Sequence, residues 1–198
     1  MIIAGTGGLG LEILGMLIDN GYEKEIVFFD ENPYGPENLF GKYRVIKKDE
    51  ELQQHFRNHG GDFITGIGNP RIREKVTLRI KNQGGVLTSV VSKRAGIFQF
   101  NTIPPGTIIH PYVLISHHLD MGECCALHAH SSIGHAARLG KYINVAPGVS
   151  IIGPIEIGDY TYIAAGAVIL PHIRIGKNVV ISAGAVVKKD VPDFATVE

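Results

Sequence analysis

The chain has 198 residues, 44% of them hydrophobic, which is enough to form one large folded domain or two small ones. Lys and Arg number 19 together, as do Asp and Glu, so the chain lacks the basic excess of a nucleic-acid binder or a polybasic membrane binder. No apolar run approaches the ~20 residues of a membrane span, and the N-terminal residues lack the basic region and apolar stretch of a signal peptide.

The first half of the sequence alternates strand-like with helix-like segments. Apolar residues at helical spacing predict helices at residues 9–21 and 71–85. Strands that alternate with helices predict a parallel sheet covered by helices on both faces. The strands themselves are predicted from short apolar runs at residues 1–5, 25–30, 62–69 and 86–91.

A glycine-rich loop, GTGGLG at residues 5–10, follows the first predicted strand and opens a helix. Such a loop lets the backbone approach a phosphate, and Asp30 ends the next strand, where an acid can bind a ribose hydroxyl. Taken alone, this pattern is also consistent with an NAD-binding site. It is consistent as well with a purely structural role, in which the glycines only allow the strand to pack tightly against the helix. Since only about half of a dinucleotide-binding fold precedes the second half of the chain, a nucleotide sugar is the better fit. The predicted ligand contacts are Gly5, Gly7, Gly8, Gly10, Asp30, Gly68 and Asn69.

The second half of the sequence repeats every six residues. A period of six fits neither a helix nor a simple alternating strand, and it is typical of the hexapeptide repeat of a parallel β-helix, in which three short strands form a coil of eighteen residues. We therefore predict two domains, at residues 1–96 and 97–198. We expect the small residues Ala126, Ala167 and Ala185 at a second inward position. The repeating aliphatic positions are Ile97, Ile103, Ile109, Ile115, Met121, Leu127, Ile133, Leu139, Val145, Ile151, Ile157, Ile163, Ile169, Ile175, Ile181 and Val187.

The eighteen-residue coil predicts which residues stack on one another. His135 is expected to lie between His117 on one neighbouring coil and Gly153 on the other, with Pro171 beyond. This column of residues follows the inward aliphatic residue by two positions, so it is expected at an outward corner of the β-helix. A base and a backbone N–H one coil apart suit a nucleophile and the oxyanion that its attack creates.

The whole sequence resembles one family of β-helix acyltransferases, the sialic-acid O-acetyltransferase and UDP-4-amino-sugar N-acetyltransferase family of the NeuD/PglD type. The resemblance rests on IIAGTGGLG, FFDEN and GIGNPRIREKV in the first half and on the hexapeptide repeats in the second. It implies an α/β, half-Rossmann-like N-terminal domain followed by a left-handed parallel β-helix. It also implies homotrimers that use acetyl-CoA without a metal, with active sites between neighbouring subunits. Relatives usually continue through a further short segment.

The resemblance also implies roles for individual residues. The segment IGHAARLG aligns His135 with the catalytic histidine, and Gly153 aligns with the glycine whose N–H faces the thioester carbonyl. The chain departs from relatives at Leu9, at Ala136, where relatives often have an acid, and at Asn144, where they have a second histidine. The implied acetyl-CoA contacts are Asn144, Gly153, Ile163, Ala165, Gly166 and Ala183.

The sequence therefore predicts an acetyltransferase that acts on a nucleotide-linked amino sugar, or alternatively on a sugar hydroxyl. Two other classes stay open: a zinc enzyme like the β-helical carbonic anhydrases, with His128, His130 and His135 as candidate ligands, and a trimeric scaffold without catalysis. The adjacent Cys124 and Cys125 cannot form an ordinary disulfide, and we expect them to be packing residues in a reducing, cytoplasmic setting.

Overall fold

A computed structural model describes all 198 residues, which divide into two compact units, Met1–Val90 and Val91–Glu198. Val91, six residues before Ile97, already packs against the core of the second unit. The chain has three α-helices, and each is too short or too polar to cross a membrane.

The N-terminal unit is a six-stranded sheet with helices. The elements are β1 (Ile2–Ala4), α1 (Gly8–Asp19), β2 (Val27–Phe29), β3 (Asn38–Leu39), β4 (Tyr43–Ile46), α2 (Asp49–His59), β5 (Asp62–Thr65), α3 (Pro70–Asn82) and β6 (Val86–Leu87). The strand order is β3-β4-β2-β1-β5-β6, and all neighbouring strands are parallel except β3 and β4.

The two faces of this sheet are covered by different helices. Ile2 and Phe29 pack with Leu52 of α2 and Ile80 of α3 in one cluster of fully buried side chains. Ile3, between Ile2 and Ala4 in β1, faces the other side, where α1 lies against the strand. Alternation along the strand therefore gives each helix layer its own set of apolar contacts.

The segment between the second and third predicted strands contains three elements that the sequence analysis did not predict, β3, β4 and α2. The helix buries only Leu52 and His55, so its apolar periodicity is weak. Its remaining helix signals are electrostatic, because acidic residues occupy the first turn and basic residues the last, where each interacts favourably with the helix dipole.

The second unit is a parallel β-helix with three faces. The first face consists of Gly96–Ile97, Leu114–Ile115, Ser132–Ile133, Ser150–Ile151, Val168–Ile169 and Val186–Val187. The second face consists of Asp120–Met121, Ala137–Leu139, Ile155–Ile157 and Arg174–Ile175. The third face consists of Val90–Val91, Ile108–Ile109, Ala126–Leu127, Asn144–Val145, Tyr162–Ile163, Val180–Ile181 and Thr196–Val197.

The pairing register confirms the eighteen-residue coil. Ile115 pairs with Ile133, which pairs with Ile151, and the same step continues along each face. The last coil is shorter, because Val180 pairs with Thr196 and Ile175 bridges to Val191, a step of sixteen residues. The six-residue period therefore stops at Val187, where one turn of the coil loses two residues.

The aliphatic residue of each hexad points into a continuous apolar core. Ala167 and Ala185 occupy the second inward position as predicted, but Cys125, rather than Ala126, does so on its coil. Both cysteines are buried, and the Cys125 thiol lies 3.2 Å from the carbonyl oxygen of Gly140. Cys125 is thus a packing residue of the β-helix.

The corners of the β-helix share one backbone conformation. In most hexads the third residue after the inward aliphatic residue has a positive φ. At eleven of these corner positions the residue is not glycine. Pro154 occupies this position on one coil, and the Gly153–Pro154 peptide bond is cis. The non-glycine residues are Phe100, Tyr112, His118, Cys124, His130, Ala136, Tyr142, Tyr160, His172, Asn178 and Phe194.

Candidate active site

A cavity of about 360 Å3 opens at the carboxyl edge of the N-terminal sheet. Gly5 and Thr6 follow β1, Asp30 follows β2, and Gly68 lies in the loop after β5; all four line the cavity. The strand order changes direction at β1, whose neighbours are β2 and β5. Ligands of open α/β sheets bind at such a switch point, and the volume is typical of a small-molecule site.

The glycines of the loop have two different roles. A Cβ on Gly10 would lie 2.1 Å from the Gly5 carbonyl oxygen, and one on Gly5 would lie 2.9 Å from that of Gly66. Gly5 also has a φ of +107°, which favours glycine. Gly7 and Gly8, in contrast, face open space. Packing therefore explains Gly5 and Gly10, whereas Gly7 and Gly8 leave room beside the uncapped N-terminus of α1.

Asp30 anchors the glycine loop. One carboxylate oxygen accepts hydrogen bonds from the Thr6 hydroxyl at 2.5 Å and the Thr6 N–H at 3.1 Å, and the other accepts from the Asn32 N–H. Burial raises the pKa of Asp30, but these hydrogen bonds and the charge of Lys47 together lower it below the ordinary value. The carboxylate is therefore charged at neutral pH.

Gly68 and Asn69 are placed differently. Gly68 lines the cavity, whereas Asn69 caps α3 by accepting hydrogen bonds from the N–H groups of Arg71 and Ile72. The loop that holds both residues is fixed by the fully buried Arg73, which donates to the carbonyl oxygens of Ile67 and Gly68. The structure thus gives Asn69 a capping function that the sequence analysis had not assigned.

Arg79 is a cavity residue that the sequence analysis missed. It forms ion pairs with Glu31 and with Asp49, the latter at 3.0 Å, and its guanidinium lies 5.7 Å from the centre of the Phe29 ring. The hydrogen bond from Arg79 to Asp49 is the main reason that its pKa is raised. Arg79 is one charged residue among several at helical spacing in α3, so only the fold distinguishes it.

His135 lies at the corner between the first and second faces, which we call the His135 corner. Its side chain is exposed, and its ring stacks on that of His117, with centroids 5.6 Å apart and planes 15° apart. The Ala136 N–H donates to the His117 carbonyl oxygen, which joins the two coils. The predicted stacking of His135 on His117 is thus observed.

Gly153 lies against His135 on the other side. A Cβ on Gly153 would overlap the His135 carbonyl oxygen, and one on Gly134 would lie 2.3 Å from the Gly153 nitrogen. The Gly153 N–H makes no hydrogen bond within the chain. Close backbone packing therefore requires glycine here, and a donor remains available beside His135.

Apart from Gly153, the residues predicted to contact the coenzyme lie elsewhere on the β-helix. Ala165, Gly166 and Ala183 are exposed at the corner between the third and first faces, the glycine corner. Asn144 is buried on the third face, with its amide oxygen 3.4 Å from His128 Nε2. The Ile163 side chain lies in the core, so only its backbone can reach a ligand.

The three histidines of the zinc alternative do not converge. His130 stacks on Tyr112 at the glycine corner, and His135 stacks on His117 at the His135 corner. His128 lies on the third face, beside the tilted ring of His110. A zinc ion needs its ligand atoms about 2 Å away, so residues on separate corners of one β-helix cannot share it.

Comparison with known sequences supports both units. The sequence model of the PglD N-terminal domain matches residues 1–80, and that of the bacterial transferase hexapeptide (six repeats) matches residues 154–189. The GDP-perosamine N-acetyltransferase of Escherichia coli O157:H7 is 33% identical over 151 residues, which cover 74% of this chain and 66% of the relative. The match thus spans slightly less than two thirds of the relative's length.

Solved structures share the fold over nearly the whole chain. WeeI from Acinetobacter baumannii AYE is 26% identical, with a TM-score of 0.90 over 100% of this chain and 95% of that one. A histidine-to-asparagine variant of the Caulobacter crescentus perosamine N-acetyltransferase, in complex with CoA and GDP-perosamine, is 22% identical, with a TM-score of 0.89 over 98% and 91%. The acetyltransferase domain of PglB from Neisseria gonorrhoeae, in complex with acetyl coenzyme A, is 23% identical, with a TM-score of 0.88 over 98% and 93%.

A Rossmann-like unit followed by a left-handed parallel β-helix of hexapeptide repeats is the fold shared by the β-helix acyltransferases, which confirms the predicted fold class. Within that class, the match of residues 1–80 to the PglD N-terminal domain distinguishes one family from the others. The chain belongs to the NeuD/PglD family, as the sequence resemblance predicted.

Proposed function

We propose that the chain transfers an acetyl group from acetyl-CoA to the amino group of a nucleotide-linked amino sugar. The observation that carries the proposal is the corner at which His135 and Gly153 meet on neighbouring coils. This corner combines an exposed base with an unused backbone N–H donor, the two groups that acyl transfer requires. The cavity of the N-terminal unit supplies the nucleotide site.

The proposed reaction is a direct transfer. The neutral amine nitrogen of the sugar attacks the thioester carbonyl carbon, and His135 accepts the N–H proton that the nitrogen loses as the new C–N bond forms. The Gly153 N–H donates a hydrogen bond to the oxyanion of the tetrahedral intermediate, which collapses as the C–S bond breaks and CoA leaves as thiolate. The thiolate takes up the proton that His135 had accepted, directly or through solvent, and the acetylated sugar and CoA are released. The step needs neither a metal nor a covalent enzyme intermediate.

The nucleotide site is supported by the division of roles among the glycines. Gly7 and Gly8 border open space at the N-terminus of α1, where free N–H groups favour phosphate. The charged Asp30 carboxylate stands at the end of β2, where an acid can accept a hydrogen bond from ribose. One relative is a GDP-perosamine N-acetyltransferase, and this similarity supports an amine rather than a hydroxyl as the acceptor.

The placement of the coenzyme residues supports an active site shared between subunits. Ala165 and Ala183 lie at the glycine corner, and the first face of the β-helix separates this corner from His135. A thioester held at the glycine corner of one chain would thus meet His135 of a neighbouring chain, as the family resemblance implies. We therefore propose a homotrimer with cyclic symmetry.

The catalytic proposal is tested by turnover of acetyl-CoA against UDP-, dTDP- and GDP-linked 4-amino sugars, with the corresponding hydroxy sugars as controls. We expect turnover with an amino sugar, and His135→Ala is expected to lower kcat about 10²–10⁴-fold, the usual contribution of a general base. Because the other predicted coenzyme contacts lie elsewhere, and Gly153 would act through its backbone N–H, the KM for acetyl-CoA should change little. An unchanged kcat in His135→Ala would exclude His135 as the base.

The assembly is tested by light scattering at micromolar concentration. A mass of about three times 21.5 kDa is expected. A stable, active monomer would exclude an active site shared between chains.

A further inference from the structure

The His135 corner carries more aromatic rings than the proposed base alone. The imidazoles of His117 and His118 lie next to it on the preceding coil, and Phe100 lies one coil further. These rings touch in sequence: Phe100 stacks on His118, His118 meets His117 edge to face, and His117 stacks on His135. The corner thus presents one continuous ladder of four rings.

His135 makes no hydrogen bond within the chain. The next residue, Ala136, offers no side-chain acceptor to orient the imidazole. The parallel contact with His117, at 5.6 Å and 15°, is therefore the interaction that defines the plane of the His135 ring. Ring pairs with this separation attract each other in an offset-stacked arrangement.

His117 is itself held from a second direction. Its Nδ1 lies 2.7 Å from Nδ1 of His118, and the two ring planes are almost perpendicular, at 89°. One of the two nitrogens must donate its proton and the other accept, so the pair fixes the tautomers of both rings. His118 is supported in turn by its stack on Phe100, with centroids 6.0 Å apart. His117 is thus a ring with a fixed position rather than a free surface side chain.

We infer that His117 is a positioning residue for the reaction, holding the His135 imidazole in the plane from which it takes the proton, and that His118 fixes His117. The inference rests on the proposed function, in which His135 is the base. A base whose ring rotates freely presents its nitrogen to the acceptor for only part of the time, so loss of the support lowers kcat. Substrate binding depends on other residues, so KM should be unaffected.

The test uses the full-length protein and three variants. His117→Ala removes the stack, His117→Phe keeps a ring on His135 but loses the hydrogen bond to His118, and His118→Ala removes only the second support. The matched control is His59→Ala, because His59 is also an exposed histidine in a parallel stack, on His55 of the N-terminal unit. Each variant is assayed for kcat and KM. The ring signals of His135 are followed by NMR with ¹³C-labelled histidine and assigned from the spectrum of His135→Ala.

We expect kcat of His117→Ala to fall about tenfold, the upper range for loss of an aromatic pair, with KM unchanged. His117→Phe should recover most of this loss, and His118→Ala should lower kcat about threefold in the native background but not in the His117→Phe background. The His135 ring signal should shift in His117→Ala, and His59→Ala should match the native enzyme.

The inference is overturned if His117→Ala leaves both kcat and the His135 ring signal unchanged. It is also overturned if His117→Phe is as impaired as His117→Ala, because the stack would then not be the relevant contact. Failure of the proposed function has a different signature, since His135→Ala would then retain its kcat. In that case the NMR signals alone still decide whether His117 orients His135.

Discussion

The two units of this protein assemble their candidate sites in different ways. In the N-terminal unit, the site forms because loops that are distant in sequence approach one another: Thr6 meets Asp30, and Gly10 meets the loop at Gly66. In the β-helix, His117, His135 and Gly153 meet because they are eighteen residues apart. The first site depends on particular tertiary contacts, whereas the second follows from a repeating backbone.

This difference teaches which residues tolerate change. A repeat stabilises each coil through its neighbours, so a side chain at a corner can change while the core remains intact. In the N-terminal unit, the same backbone atoms both hold the sheet together and shape the cavity. Substitutions of the closely packed glycines there are expected to affect folding and binding together.

The largest expected effect on stability is that of Gly10→Ala. Because the new Cβ would lie 2.1 Å from the Gly5 carbonyl oxygen, the loop must move, and we expect a loss of about 3 kcal/mol in the free energy of unfolding. Gly15→Ala, in the same helix but facing open space, should instead stabilise by about 0.5–1 kcal/mol. Urea denaturation of both variants checks the pair. A tolerated Gly10→Ala would show that close backbone approach does not hold the cavity together.

Asp30→Ala is expected to affect binding rather than folding. Loss of hydrogen bonds to a charged group should raise the KM for the nucleotide sugar about 10–100-fold, while the KM for acetyl-CoA stays the same. Thr6→Val, which removes the hydroxyl that anchors the loop to Asp30 but keeps the carboxylate, separates the two roles of Asp30. Equal defects in the two variants would show that Asp30 acts only by anchoring the loop. Steady-state kinetics with both substrates varied provides the measurement.

The smallest expected effect is that of Ala136→Gly at the His135 corner. Ala136 has a φ of +52°, which is unfavourable for alanine, so glycine should stabilise the β-helix by about 0.5 kcal/mol after its greater freedom in the unfolded chain is included. Ala183→Gly, at a corner residue without a positive φ, should destabilise instead. Thermal denaturation compares the two. A destabilised Ala136→Gly would mean that the corner conformation is not strained.

The sequence was most informative where the structure repeats. The spacing of Ile115, Ile133 and Ile151 predicted their pairing, and with it the stacking of His135 on His117. The period gave no sign of the sixteen-residue step before Val191, because that change is confined to one turn.

Prediction was weaker in the N-terminal unit. The glycine loop and Asp30 were recognisable from their spacing, but the hydrogen bond between Thr6 and Asp30 depends on the path of both chain segments. Arg79 reaches the cavity only because α3 packs beside β5. Helix α2 has charged residues at both ends but buries only Leu52 and His55, so its sequence lacks the apolar periodicity from which a helix is predicted.

Because the corners of the β-helix share one backbone conformation, the same side chain can be placed in similar surroundings on different coils. A side chain moved by eighteen residues enters nearly the same local geometry one coil away, so an imidazole could change coils through two exchanged side chains. His118 and His172 already occupy equivalent corner positions three coils apart, on either side of the coil that carries His135. A catalytic side chain at this corner can therefore change from one coil to another during evolution, while the apolar core of the β-helix stays the same.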